Sequence, residues 1–331
     1  MSSKIMVSVC CLVYNHEKYL RKCLDGFIMQ KTNFKFEVLI HDDASIDNSA
    51  EIIREYEKKY PDIIKPIYQK ENQYSKGVKI NWEYQYPRAK GKYIALCEGD
   101  DCWSDENKLQ IQFDNMEAEK TAAMSVHTVR CIMENGKLTN RYFPRNIIDK
   151  AVLKPCEFMK IIQWDTYPFQ TSSYFIRSTY IHSLINDKPE FVRIANVGDI
   201  PLMLYMVTKG DIIYIDKVMS YYRLNSIGSY NSRLNSYEKI IDHNKHMIRI
   251  YKLFNKCSGY RFNEYMQCGI LNYEFTIDSI RDDHKSLVQK KYRKVVKNLP
   301  LKRKIHYYIS VLIPGFNKIY RRLRNNNQKK H

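Results

Sequence analysis

Through the first hundred positions the chain alternates short apolar runs with stretches whose apolar residues recur every three or four positions. Ile5–Val13 is a near-continuous apolar run, as expected of a strand buried on both faces. Tyr19, Leu20, Cys23, Leu24 and Phe27 follow at helical spacing. Phe36–Ile40 predicts a second strand, and Ile52, Ile53 and Tyr56 a second helix that ends before Pro61, with Asp47 placed to cap it. Ile63–Tyr68 and Tyr93–Cys97 predict two more strands, the latter preceded by Ala89-Lys90-Gly91, which reads as a helix stop. Repeated strand–helix–strand units predict a parallel sheet with right-handed crossovers. Farther on, Ala122–Met133 and Lys137–Phe143 flank Asn135-Gly136, a hairpin signal, and Gln170–Ile176 and Asp211–Arg223 predict further strands. After about Ser236 the pattern is helical with mixed charge. The expected division is therefore residues 1–235 and residues 236–331.

Open α/β sheets bind ligands beyond the carboxyl ends of their strands. Val13-Tyr14-Asn15, Asp42-Asp43 and Glu98-Gly99-Asp100 all fall at such ends, so three polar clusters are predicted to share one rim. The segment YIALCEGDDCW runs an apolar strand into three carboxylates, Glu98, Asp100 and Asp101. Residues two apart in an extended chain share a face, so Glu98 and Asp100 are expected to aim at one spot. Oxygen ligands without a nearby His or Cys suit a hard ion such as Mg²⁺ or Mn²⁺. The same carboxylates also suit a solvated turn capping the next helix, whose first turn has Ser104, Asp105 and Glu106. This segment alone leaves both readings open.

Composition narrows the class. The 331 residues are 44% hydrophobic and 27% charged, as in a soluble globular protein. Neither a signal peptide nor an apolar stretch of membrane-spanning length is recognisable. The nine cysteines are scattered without a C-x-x-C pair, which argues against zinc and disulfides and for a reducing cytosol. Charge is uneven. No Asp or Glu follows Asp283, whereas 15 Lys and Arg lie between Lys285 and Lys330; taking those 15 from the net +18 leaves the first 283 residues at +3. The basic part is thus a tail fitted to an anionic partner. Within it, Ile305–Phe316 is too short to span a bilayer but apolar enough to lie in its interface.

Several motifs, in order, resemble family 2 glycosyltransferases over roughly residues 5–228. Val7-Ser8-Val9-Cys10-Cys11-Leu12-Val13-Tyr14-Asn15 stands where that family usually has V-S-V-I-I-P-T-Y-N, so Leu12-Val13 replaces Pro-Thr. Phe36-Glu37-Val38-Leu39-Ile40-His41-Asp42-Asp43-Ala44-Ser45-Ile46-Asp47 is similar to its E-I-I-V-V-D-D-G-S-x-D segment. Gly77 and Ala89–Ala95 match its next landmarks, and Glu98-Gly99-Asp100-Asp101 occupies its D-x-D position with Glu for the first Asp. The resemblance implies an α/β GT-A fold, a Rossmann-like mixed and mainly parallel sheet flanked by helices, here with a helical, basic C-terminal extension. It implies a nucleoside-diphosphate sugar bound by Val13, Tyr14, Asn15, Asp42, Asp43, Lys76, Gly77, Glu98, Gly99 and Arg223, with Asp43 on the base and Lys76 and Arg223 near the diphosphate. It implies a divalent cation, Mg²⁺ or Mn²⁺, on Asp100 and Glu98. Trp103, Thr171 and Ser172 are expected at the acceptor.

Inverting transfer needs a general base. In this family an acid-Asp pair opens a late helix; Asn196–Leu202 fills that place, with Gly198 for the Glu and Asp199 for the Asp. By local sequence alone Asp199 is an N-cap before Ile200-Pro201. Tyr221-Tyr222-Arg223, with Gly228-Ser229 after it, resembles a late Tyr-Arg element. The expected activity is metal-dependent, inverting sugar transfer from a nucleotide sugar to a glycan or lipid-linked acceptor hydroxyl, in bacterial cell-surface polysaccharide assembly. The expected location is cytoplasmic, peripheral at the inner face of the cell membrane, with anionic lipid and not nucleic acid as the tail's partner. Two rivals compete. A nucleotidyltransferase of related fold would carry a Gly-rich basic loop after the first strand, where Tyr14–Tyr19 stands here. A non-catalytic basic protein binding membrane or nucleic acid would not cluster its acids at strand ends.

Overall fold

The structure is a computed structural model, described over residues 4–165, 167–196, 198–224, 236–313 and 315–316, the His284 side chain excepted. Its strands and helices run β1 (Ile5–Val13), α1 (Glu17–Ile28), β2 (Lys35–Asp42), α2 (Ser49–Lys59), β3 (Ile64–Tyr68), β4 (Tyr93–Glu98), β5 (Cys102–Trp103) and α3 (Lys108–Ala118). Then come β6 (Ala122–Ile132), β7 (Leu138–Phe143), β8 (Val152–Leu153), α4 (Pro155–Ile162), β9 (Phe175–Arg177), α5 (Ser178–Asp187), α6 (Glu190–Arg193), α7 (Asp199–Lys209) and β10 (Asp211–Arg223). The helical part holds α8 (Tyr237–Cys257), α9 (Asn263–Arg281), α10 (His284–Leu287), α11 (Arg293–Asn298) and α12 (Leu301–Leu312).

Backbone contacts divide the chain into two compact units: residues 1–158, 167–189 and 202–227, and residues 159–166, 190–201 and 228–331. Two short segments, one of them carrying Asp199, also go with the C-terminal unit.

The first unit is built on a mixed sheet in the order β3-β2-β1-β4-β9-β6-β10-β5, with β7 on β6 and β8 on β10. The block β3-β2-β1-β4 is parallel throughout, as the alternating pattern predicts. The α/β class, with a mixed sheet that holds a parallel block, is as expected. The central strands carry apolar side chains toward both faces, and Val7, Val9, Cys11, Val38, Ile40, Tyr93 and Ala95 join Leu20, Leu24 and Phe27 of α1 in one core. Register matters for function. Val13 pairs with Asp42, and Leu12 pairs with both His41 and Glu98, so the polar clusters end level with one another.

Two predicted elements differ. Before β4 there is no long helix but a series of short turns, Tyr74–Lys76, Asn81–Gln85 and Tyr86–Arg88, pinned where buried Gln85 Nε2 donates to Cys11 O (3.0 Å) and Leu39 O (2.8 Å). Gly91 is required there by close approach: a Cβ would lie 2.4 Å from Ser8 N and 2.7 Å from the Val7 carbonyl carbon. Of the expected strand Gln170–Ile176, only Phe175 and Ile176 are strand, in β9. Thr171–Ser173 forms a tight turn in which Ser173 donates to Gln170 O through both N (2.9 Å) and Oγ (2.7 Å). Short hydroxyl side chains compete in this way with the sheet ladder.

Ala44 sits at φ 60° in the left-handed region, where a Cβ is costly and where the resembling segment has Gly. Ala44→Gly should stabilise the protein by about 1 kcal/mol net and raise Tm by a few degrees. An unchanged or lowered melting temperature would show that this turn carries no strain.

In the second unit α8 packs on α9, with Gly269 beneath Tyr251, where a Cβ would lie 2.5 Å from ring atom Cε2. Phe275, Leu287, Tyr292, Val295, Val296 and Leu299 form its small core, to which Tyr307 adds a partly buried ring. No helix among the described residues is long and apolar enough to cross a membrane.

Candidate active site at the carboxyl ends of the strands

The corner after β1 is held by the segment after β2. Asn15 adopts φ 58°, a conformation its short polar side chain tolerates. Asn15 N donates to Ser45 Oγ (3.0 Å), Ile46 N donates to Asn15 Oδ1 (2.8 Å) and His16 N donates to Ser49 Oγ (2.9 Å). Asp47 accepts from Glu17 N (3.0 Å) and Ser49 N (2.9 Å), so it ties two helix starts together instead of capping one. Burial pushes this carboxyl up, but the bonds from Ser49 and Glu17 outweigh it and hold the pKa below the usual value. Asp43 N donates to Val13 O (2.9 Å), which joins the two strand ends directly. Tyr14 remains exposed beside them.

The Asp pair divides its work. Buried Asp43 accepts from Gln73 N (2.7 Å) through Oδ1 and from Tyr74 N (3.0 Å) through Oδ2. It anchors the turn that ends at Gly77, whose φ of 80° suits glycine. Each oxygen keeps a second lone pair. His41 lies beneath, its Nε2 3.7 Å from Asp43 Oδ1 and its ring 4.9 Å from that of Tyr84; burial lowers its pKa, against the pull of Asp43. Asp42 is buried, with Oδ1 lacking a partner among the described residues. Burial raises its pKa, and hydrogen bonds from Ser45 oppose this. Lys76 is exposed and paired with Glu71.

The third cluster departs from the expected geometry. β4 stops at Glu98, and the chain turns there, with Asp101 N donating to Glu98 O (3.1 Å). The shared-face argument therefore does not apply: Glu98 is exposed, while Asp100 and Asp101 are buried. Gly99 lets the turn close on the first corner, since a Cβ would lie 2.7 Å from His16 Nδ1 and 3.0 Å from Val13 Cγ2. Among the described residues nothing donates a hydrogen bond to the Asp100 carboxylate. Asp101 is held well above the carboxylate range by burial first and then by the charge of Asp100, with Arg223 opposing. A divalent cation beside the pair would relieve that repulsion. No cluster of three or more His, Cys, Asp or Glu side chains fit to hold a metal exists among the described residues. The donor set nevertheless fits Mg²⁺ or Mn²⁺ of the kind bound by one or two carboxylates plus phosphate and water.

Arg223, expected beside a diphosphate, is held by protein partners at the acidic turn. It is buried, its N donates to Asp101 Oδ1 (2.9 Å), its Nε to Asp100 O (2.9 Å) and its Nη1 to Met133 O (3.1 Å) and Glu134 O (3.0 Å). Its guanidinium also lies 4.2 Å from the centre of the Tyr19 ring. Arg223 thus locks the acidic turn to the β6–β7 hairpin. Trp103 is corrected. At 3% exposure it packs edge-on against Phe27 (4.7 Å), with the Lys108 ammonium 4.1 Å from its ring centre, so it has no face for a sugar. Burial pulls that ammonium down to about 7. Buried Ser172 bonds Ser220 through the two hydroxyls (3.0 Å), while Thr171 stays partly exposed.

Asp199 belongs to the second unit, where it opens α7. Its Oδ1 accepts from Ile200 N (2.8 Å), and burial raises its pKa against that bond. Val197 beside it, and Gly228 and Ser229, lie outside the described residues. Sequence reading missed the ties through Ser45 and Ser49, the Gln85 pin and the buried His41. Their residue types were visible, but the partners of Ser45, Ser49 and Gln85, some 30 to 74 positions away, were not.

Two shallow depressions flank the corner, one of about 470 Å³ lined by Gly77, Val78, Lys79, Glu83 and Tyr84, the other of about 650 Å³ beside Asp42, Ser45 and Tyr68. Asp100 lines neither of them.

Residues 8–183, slightly more than half of the chain, match the family model described as glycosyl transferase family 2. The chain belongs to that family. The chain is 40% identical over 138 residues to an uncharacterized protein of Mycobacterium tuberculosis, covering 42% of this chain and 39% of that one. It is 27% identical over 139 residues to TuaG of Bacillus subtilis, provisionally named a teichuronic acid biosynthesis glycosyltransferase, covering 42% and 52%. The chain thus spans about half or less of the length of these curated relatives. Among solved structures, S. aureus TarS 1–349 is similar at TM-score 0.59 and 16% identity, covering 93% of this chain and 79% of that one. The mannosyltransferase PcManGT of Pyrobaculum calidifontis, in complex with GDP-Man and Mn²⁺, is similar at TM-score 0.51 and 12% identity, covering 96% and 86%. These likenesses show the fold.

Proposed function

We propose that this glycosyltransferase moves a sugar from a nucleoside-diphosphate sugar to an acceptor hydroxyl with inversion, in cell-surface polysaccharide synthesis. The observation that carries the reading is the Asp100 carboxylate. It is held in a locked turn level with the nucleotide-side corner, and among the described residues no protein donor satisfies it. Similar folds solved with UDP-GlcNAc and with GDP-Man and Mn²⁺ support a nucleotide-sugar donor and a divalent cation, and the TuaG name supports the setting.

The base and ribose would lie over Val13, Tyr14, Asn15 and Asp42, under the loop that Asp43 anchors and Gly77 ends. A spare lone pair of Asp43 can accept a ring N–H. A divalent ion held by Asp100, with Glu98 nearby and the remaining ligands from diphosphate and water, would neutralise the leaving group. Asp199 would take the acceptor's proton, and the raised pKa that burial gives it suits a general base. Thr171 is the one expected acceptor residue that is not buried.

The test is stereochemical. With an α-linked donor and water as acceptor, early proton NMR should show the β anomer of the released sugar. An α anomer at the earliest times would exclude single inversion.

A further inference from the structure

The last described helix carries an apolar stripe that its own unit leaves uncovered. α12 follows Pro300 and turns Tyr307 and Ser310 inward: the Tyr307 ring lies 5.6 Å from that of Phe275, its hydroxyl donates to Leu287 O (3.1 Å), and Ser310 is buried. At about 100° per residue, Leu301, Ile305, Tyr308 and Leu312 fall within roughly 60° of one another, opposite Ser310. They are 72%, 51%, 56% and 79% exposed. On the same wheel Lys302 and Lys304 flank the stripe, each roughly a quarter-turn away.

We propose that α12 is a membrane-docking helix, lying along an anionic lipid surface with this stripe in the acyl boundary and Lys302 and Lys304 among the headgroups. Charge complementarity selects this occupant. Fifteen cations and no acid lie after Asp283, and a cation-flanked aliphatic stripe is the pattern of an interfacial helix. A twelve-residue helix is about 18 Å long, well short of a bilayer core. Two copies joined stripe to stripe would bring their lysine flanks together, and a nucleic acid would leave the stripe unused.

The full chain is tested by sedimentation with phosphatidylcholine vesicles, with and without phosphatidylglycerol. It should bind the phosphatidylglycerol vesicles at low salt and leave them at high salt. Ile305→Gln with Leu312→Gln should weaken that binding roughly tenfold or more. Lys302→Gln with Lys304→Gln should weaken it by roughly tenfold. Neither pair should change the melting temperature, because Lys302, Ile305 and Leu312 are exposed and Lys304 is only partly buried. Tyr308→Trp should report burial as a blue-shifted emission on vesicles. Binding unaltered by the stripe pair, equal binding to neutral vesicles, or a dimer that the stripe pair dissociates would overturn the proposal.

Discussion

Asp100→Asn is expected to abolish divalent-ion-dependent turnover of a nucleotide sugar, by roughly a thousandfold or more, while leaving the fold intact. The two halves of that expectation have separate physical sources. The turn is held through backbone atoms and through Asp101: Arg223 Nε bonds Asp100 O and Arg223 N bonds Asp101 Oδ1, and neither bond uses the Asp100 carboxylate. Asn is isosteric and leaves both in place. What is lost is the anion, and an amide oxygen is a far weaker ligand for a hard dication. Wild-type rates in this variant, with Mn²⁺ and donor saturating, would remove Asp100 from the chemistry.

Asp199→Asn separates capping from catalysis. Asn caps a helix start about as well as Asp but cannot accept a proton at working pH. A loss of roughly a hundredfold or more in transfer is expected, with nucleotide binding nearly unchanged. The pH profile carries a second sign. A base works deprotonated, and burial raises the Asp199 pKa above its ordinary value. The acid limb of kcat/KM should therefore sit at higher pH than an ordinary carboxylate would place it, and vanish in Asp199→Asn. If Asn transfers sugar as well as Asp, the base lies elsewhere in the chain.

The parallel block was legible because its signals are local. A strand buried on both faces is a continuous apolar run, and Ile5–Val13 is one with the bounds it has in the structure. The hairpin at Asn135-Gly136 was read from two residues, and β6 and β7 flank it. The same locality explains the departures. β5 and β8 are two-residue strands that exist only because β10 pairs with them, so no window of sequence announces them. Trp103 follows the acidic turn, which suggests a ligand platform, yet the pairing of β5 with β10 carries it into the core. Arg223 was marked as a site residue by its position after Tyr221-Tyr222, but its work depends on carbonyls about 90 and 120 positions away. Residue type and order revealed the rim; which side chains face the ligand and which brace it is a matter of tertiary pairing.

One measurement bears most directly on the central claim: release of nucleoside diphosphate by the purified chain from a panel of UDP- and GDP-sugars, with Mn²⁺ or Mg²⁺ and again with EDTA. The account predicts turnover of at least one donor that needs the ion and is lost in Asp100→Asn. No turnover of any donor, or turnover indifferent to both EDTA and Asp100→Asn, would contradict it.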